Sequence, residues 1–216
     1  RVNTRRPSAS LEWGTSLRSC VPSKMNHDLP TVGIDPESLS RLKPLPEEAM
    51  DEHAAAYRDA ILKAVPPLIA GLRGPAGIWM RKPRIGQRLQ ETLRELASAP
   101  ELDAATRELA ILVTATEMRS QFEWNAHEGL ARKHGVSAAA LACLVDDLAP
   151  DSLSSHEALV IKLGREVFRT GRVADQTYAA ALAALGEERL FTVAAVIAFY
   201  ALTAVMLGIF DQRSAG

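Results

Sequence analysis

The stretch RELAILVTATEMRSQFEWNAHEGLARKHG, Arg107 to Gly135, concentrates acids, a histidine and aromatic residues inside an otherwise apolar helical pattern. Leu109, Ile111, Leu112 and Val113 make a strongly apolar helix that Asp103 opens as N-cap, with Arg107 and Glu108 in its first turns. A second helix begins at Ser120. Ser120, Gln121, Phe122 and Glu123 spell a capping box, in which the serine oxygen accepts from the amide three residues on and the glutamate reaches back. Gly135 ends it as a left-handed stop after Lys133 and His134, whose charge suits a helix C-terminus. The two segments predict an antiparallel hairpin turning near Arg119 and Ser120. At ~1.5 Å per residue, Glu108 lies about 16 Å before that turn and His127 about 11 Å after it, so their side chains can approach. A carboxylate beside an imidazole orients one ring nitrogen and raises the ring's basicity, as a proton-transfer site needs. Glu123 and His127, four residues apart on one helix face, bring a second carboxylate within reach.

Working outward, 216 residues with 47% hydrophobic and 24% charged side chains fit one globular domain with a sizeable core. A formal net charge of −1, from 25 basic and 26 acidic residues, provides no general field for nucleic acid or an anionic membrane. No nucleic-acid or membrane partner is expected. Cys20 and Cys143 stand far apart, and Cys143 sits in the apolar run AAALACLV, where a free cysteine behaves as a small hydrophobe. A reduced, cytoplasmic protein without a disulfide is expected.

Residues 1–45 read as a disordered leader followed by a proline-rich arm, and residues 46–212 as the helical domain. The Arg- and Ser-rich leader is expected to precede a natural start at Met25 rather than to be a targeting segment. In the arm, Pro30, Pro36, Pro44 and Pro46 leave room for at most a short helix, Glu37 to Arg41. A helix is expected from Glu47 to Val65, closed by Pro66 and Pro67. A glycine-rich loop follows before Ile78, Trp79 and Met80. Residues 84–98 carry Ile85, Leu89, Leu93 and Leu96 on one face. Further helices are expected from Ser137 to Leu148, from Ser154 or Ser155 to Arg169, and from Asp175 to Leu185. His53 and His156 read as solvated. The last helix, 187–210, contains about 21 uncharged residues, enough for a membrane span of ~20. A mid-helix Tyr200 and small Ala-rich faces suit a helix buried in a bundle or at a subunit contact better. Strand alternation, phosphate loops, zinc spacing and sustained heptads are not found, so the fold is read as all-α.

The RELAIL run, the EWxxH element of Glu123, Trp124 and His127, and FYALTAVMLGIFD from Phe199 to Asp211 resemble the carboxymuconolactone decarboxylase family, which includes the alkylhydroperoxidase D-like proteins. The similarity runs from about Pro46 to about Asp211. It implies a helical bundle of the alkylhydroperoxidase D-like type, with about seven or eight helices, assembled as a homo-oligomer, dimer or trimer. It also implies a cofactor-free carboxy-lyase of aromatic-compound catabolism, acting on a small lactone or carboxylic acid by loss of CO₂ or double-bond migration. His127 would then be general acid/base, Glu108 its orienting partner and Glu123 a second acid, with Arg107 or Trp79 holding substrate. Trp124 is a further candidate for the pocket, although a tryptophan at helical spacing more often fills a core. One imidazole without a second His or Cys at ligand spacing gives no basis for a metal. In the peroxidase branch of the family, residues equivalent to Glu108 and His127 flank a Cys-x-x-Cys pair; here Ser120 and Glu123 hold those positions, which argues against peroxide reduction. The alternative is a non-catalytic ligand-binding or scaffold oligomer of the same fold.

Overall fold

The computed structural model describes residues 33–63, 72–150 and 153–214. The expectations for the leader, Cys20, Met25 and the Pro66–Pro67 stop lie outside those residues. Among the described residues there are eight α-helices and no strand: α1 Glu52–Leu62, α2 Pro75–Trp79, α3 Pro83–Ser98, α4 Ala104–Glu117, α5 Gln121–His134, α6 Ala138–Val145, α7 Ser155–Thr170 and α8 Asp175–Ile209.

The organising element is α4. Asp103 caps it by accepting from the Thr106 amide at 2.9 Å. Every residue from Glu108 to Ala115 is buried, because α5, α6, α7 and α8 surround this helix. Leu109, Ile111, Leu112 and Val113 are 1% exposed or less. Each such side chain contributes about 1.5–3 kcal/mol relative to exposure. The approach of α7 is closest at Gly164, where a Cβ would sit 2.3 Å from Cγ1 of Val113. The α4–α5 hairpin forms as expected, turning through Arg119, whose φ is +54°, into Ser120 as the cap of α5.

Four boundaries differ from the sequence reading. Glu37 to Arg41 is a turn rather than a helix, because the Asp35 carboxylate takes the Glu37 and Ser38 amides and Asp35 and Ser40 form an isolated bridge. The helix expected from Glu47 is interrupted. A 3₁₀ turn at Glu47–Ala49 gives way to extended Met50, and Asp51 restarts the chain by capping α1 through the Ala54 amide. The glycine-rich segment before Trp79 contains the short helix α2, with Pro75 in its first turn. Helix α6 stops at Val145 rather than Leu148, with Asp147 at a φ of +51°.

Helix α3 is rotated from its expected seating. Ile85 is 60% exposed, Leu89, Leu93 and Leu96 are half-buried, and the fully buried positions are Gly86 and Gln90. Gly86 lies so close to α2 that a Cβ would come within 2.9 Å of Cβ of Trp79, which turns the Gly86–Gln90 face inward. Helix α8 is broken at Gly186, with φ +75°, and by length and composition is apolar enough to cross a membrane. Half of its most apolar window is buried inside the fold. Phe191, Leu202, Val205 and Ile209 remain exposed on it. Beyond α8 the chain returns to the arm, where the Arg41 amide donates to the Phe210 carbonyl and the Arg213 amide to that of Leu39.

Candidate active site

The inner face of the α4–α5 hairpin opens on a cavity of about 320 Å³, at the small end of the ~300–1,000 Å³ usual for ligand pockets. Helices α2, α3 and α8 close its other sides. His127 and Glu108 meet in its wall, with Nδ1 of His127 2.8 Å from Oε2 of Glu108. Both are buried, at 9% and 7% exposed. A carboxylate at Nδ1 holds the ring proton there and leaves Nε2 as the basic nitrogen. Tyr200 of α8 packs edge-on against the imidazole, with centroids 5.1 Å apart and planes at 88°, and fixes its tilt.

Glu123 lies on the other side of the ring. Its Oε2 is 3.6 Å from Nε2 of His127, beyond hydrogen-bond length, and its Oε1 is buried with no partner among the described residues. The capping box is therefore half made. Ser120 accepts from the Glu123 amide at 3.5 Å, but the glutamate turns inward, and the Ser120 amide donates instead to the Ala115 carbonyl. Burial pushes the Glu123 carboxyl up to about 7, partly offset by the His127 ring. Near neutrality the site thus sets a carboxyl that is still partly protonated beside an imidazole nitrogen free to accept.

That shift has a consequence for stability. The folded state holds a proton on Glu123 that an unfolded glutamate, at 4.5, has released. Stability is therefore lost as pH rises from about 4.5 to about 7. Glu123→Gln removes the titration. Its stability should vary less than that of the wild type, by about 2 kcal/mol between pH 5 and pH 7. Urea unfolding at pH 5 and pH 7 measures the difference, and parallel pH dependences would show that Glu123 titrates normally.

Arg107 and Arg94 also line the cavity, and neither makes an ion pair among the described residues. Arg107 donates to the Leu102 carbonyl at 3.2 Å, so its head is positioned without being neutralised. Trp79 lines the cavity and packs edge-on against Phe199. Five of the six candidates, Arg107, Glu108, Glu123, His127 and Trp79, thus share one cavity. Trp124 does not line it; the ring is half-buried against the core on a different face of α5. The sequence reading did not pick out Gln90, Arg94, Phe199 or Tyr200. For Tyr200 the signal was a phenol inside an uncharged helix, and for Gln90 a polar residue beside the Leu89–Leu93 stripe.

Cys143 is buried between α6 and α7, 3.1 Å from the Leu148 carbonyl, and is not part of the cavity wall. His156 is exposed, as expected, yet its Nε2 lies 2.7 Å from the Thr106 hydroxyl and ties the start of α7 to that of α4. Searches against curated proteins and against solved structures return no match. Residues 83–166, from the start of α3 into α7 and including Arg107, Glu108, Glu123 and His127, match the model of the carboxymuconolactone decarboxylase family. That segment, with the all-helical architecture of the described residues, is what the chain shares with the carboxymuconolactone decarboxylase family and its alkylhydroperoxidase D-like fold.

Proposed function

We propose that the chain is a carboxy-lyase or isomerase of carboxymuconolactone decarboxylase type, performing acid/base chemistry on a small lactone or unsaturated carboxylic acid without a cofactor. The observation that carries this is the Glu108–His127–Glu123 arrangement facing a cavity whose walls are mainly apolar. In a decarboxylation the departing carboxylate leaves its bonding pair in the conjugated carbonyl system, and the carbon is then protonated. Glu123, partly protonated near neutrality, passes its proton to Nε2 of His127, which delivers it to that carbon. In a double-bond migration Nε2 of His127 removes a proton from one carbon and returns it at another. Apolar walls favour the first reaction because they desolvate the carboxylate more than the neutral CO₂ it becomes. Arg107 holds a carboxylate that is retained, since pairing the departing one would oppose its loss.

A panel of small lactones and unsaturated carboxylic acids, assayed for CO₂ release and for double-bond movement, tests the proposal. Turnover that survives His127→Ala would count against it. The same reading includes a cytoplasmic homo-oligomer. The exposed stripe of Phe191, Leu202, Val205 and Ile209 is the surface that assembly would cover. Sedimentation at micromolar concentration should give a dimer or trimer, and a stable monomer would remove that part of the proposal.

A further inference from the structure

Two polar atoms on the cavity wall have no role in the proton transfers above. The indole nitrogen of Trp79 and the amide oxygen Oε1 of Gln90 are both buried, and neither has a hydrogen-bond partner among the described residues. Both side chains line the cavity, Trp79 at 3% and Gln90 at 8% exposed. Buried polar groups are nearly always paired, so two orphans in one cavity indicate an occupant that pairs them.

They occupy a common wall. Gln90 stands one turn after Gly86 on the face of α3 that Gly86 presses against Trp79. Successive edge contacts, Trp79 to Phe199 at 6.2 Å, Phe199 to Tyr200 at 5.9 Å and Tyr200 to His127 at 5.1 Å, connect that wall to the imidazole. A ligand lying along Phe199 and Tyr200 presents one end to His127 and the other to Trp79 and Gln90. The two atoms are complementary in kind, since the indole N–H donates and the amide oxygen accepts. A hydroxyl group is the single ligand group that can answer both, accepting from Trp79 and donating to Gln90.

We propose that Trp79 and Gln90 form a hydroxyl-recognition pair, which makes the substrate a small hydroxylated carboxylic acid or lactone whose hydroxyl lies at the end remote from the reacting carbon. The inference rests on the acid/base reading only for the direction of the ligand. A site built to bond a hydroxyl discriminates strongly against the analogue lacking it, because both protein atoms are then left unpaired.

Equilibrium binding separates the two ideas, since it requires no turnover. The probes are 4-hydroxybenzoate and 3-hydroxybenzoate, each against benzoate and the matching methylbenzoate, titrated calorimetrically into the full chain. At least one hydroxylated probe should bind about tenfold or more tightly than its partners. Trp79→Phe, which keeps an aromatic ring against Phe199, and Gln90→Met, which keeps the length, should each bring that ratio close to one. Should Trp79→Phe fail to fold, Gln90→Met carries the comparison. Equal affinities within every pair, as when an ordered water already serves both atoms, overturn the proposal. So does the absence of saturable binding by any probe, or discrimination that persists in Gln90→Met. Discrimination with no His127-dependent turnover would sink the acid/base reading and leave the recognition pair standing.

Discussion

Replacing His127 by alanine is expected to lower turnover of an accepted lactone or unsaturated acid by about 10²- to 10⁴-fold, the usual contribution of general acid/base catalysis. The variant loses the group that carries the proton, and Glu108 then faces the cavity without its 2.8 Å partner. Glu108→Gln should lose less. Its amide oxygen still accepts from Nδ1, so the ring stays oriented, but the negative charge that stabilises the protonated imidazole is gone. Rates and thermal unfolding measured together decide the matter. Unchanged rates with lowered melting temperatures in both variants would make the pair a core contact, and the binding-module alternative would become the better description.

Arg165→Met should have the largest effect on stability. The Arg165 side chain is 10% exposed and holds the turn between α6 and α7 to the rest of the bundle. It donates to the carbonyls of Leu148 at 2.6 Å and Cys143 at 2.8 Å, and lies 3.2 Å from the Asp147 carboxylate. Methionine fills much of the volume but leaves two carbonyls without this donor. Arg169 keeps its contacts with both Glu117 and Asp147, so neither carboxylate is stranded. A loss of about 3 kcal/mol follows, at the low end for breaking a buried pair. For a chain of this size that is a fall of roughly 6–12 °C in Tm. Turnover should be unaffected, since Arg165, Glu117 and Asp147 do not line the cavity. A melting temperature within 2 °C of wild type would show that desolvation of the guanidinium had cancelled its bonds.

The α4–α5 hairpin was legible because its signals are local: a cap at Asp103, a cap at Ser120, an apolar run and a terminal glycine. Helix rise in a hairpin put Glu108 and His127 within reach of one another, and the structure closes that reach to 2.8 Å. Glu123 was ambiguous in the sequence because Ser-x-x-Glu describes a cap and an inward acid equally well, and only the docking of α5 against α4 selects the second. Gln90 and Tyr200 were missed for a related reason. Which face of α3 turns inward depends on its contact with Trp79 across a loop, and Tyr200 meets His127 only because two helices distant in sequence cross there. The interrupted start of α1 and the early stop of α6 arise from side chains, Asp51 and Arg165, that compete for backbone groups a helix would otherwise use.

Glu108 rides on α4, whose residues from Glu108 to Ala115 are all buried. Backbone amides in such a position exchange with solvent only when the whole domain opens, because no smaller fluctuation uncovers them. The ridge that carries the carboxylate is therefore the last part of the chain to loosen as temperature rises. The α3 wall, with Ile85 in water and its leucines half-covered, is held by far less buried surface. The cavity thus has one side with the persistence of the global fold and another free to open at much smaller free energy. Loosening of α3 would leave α4, and the Glu108 carboxylate it carries, in place.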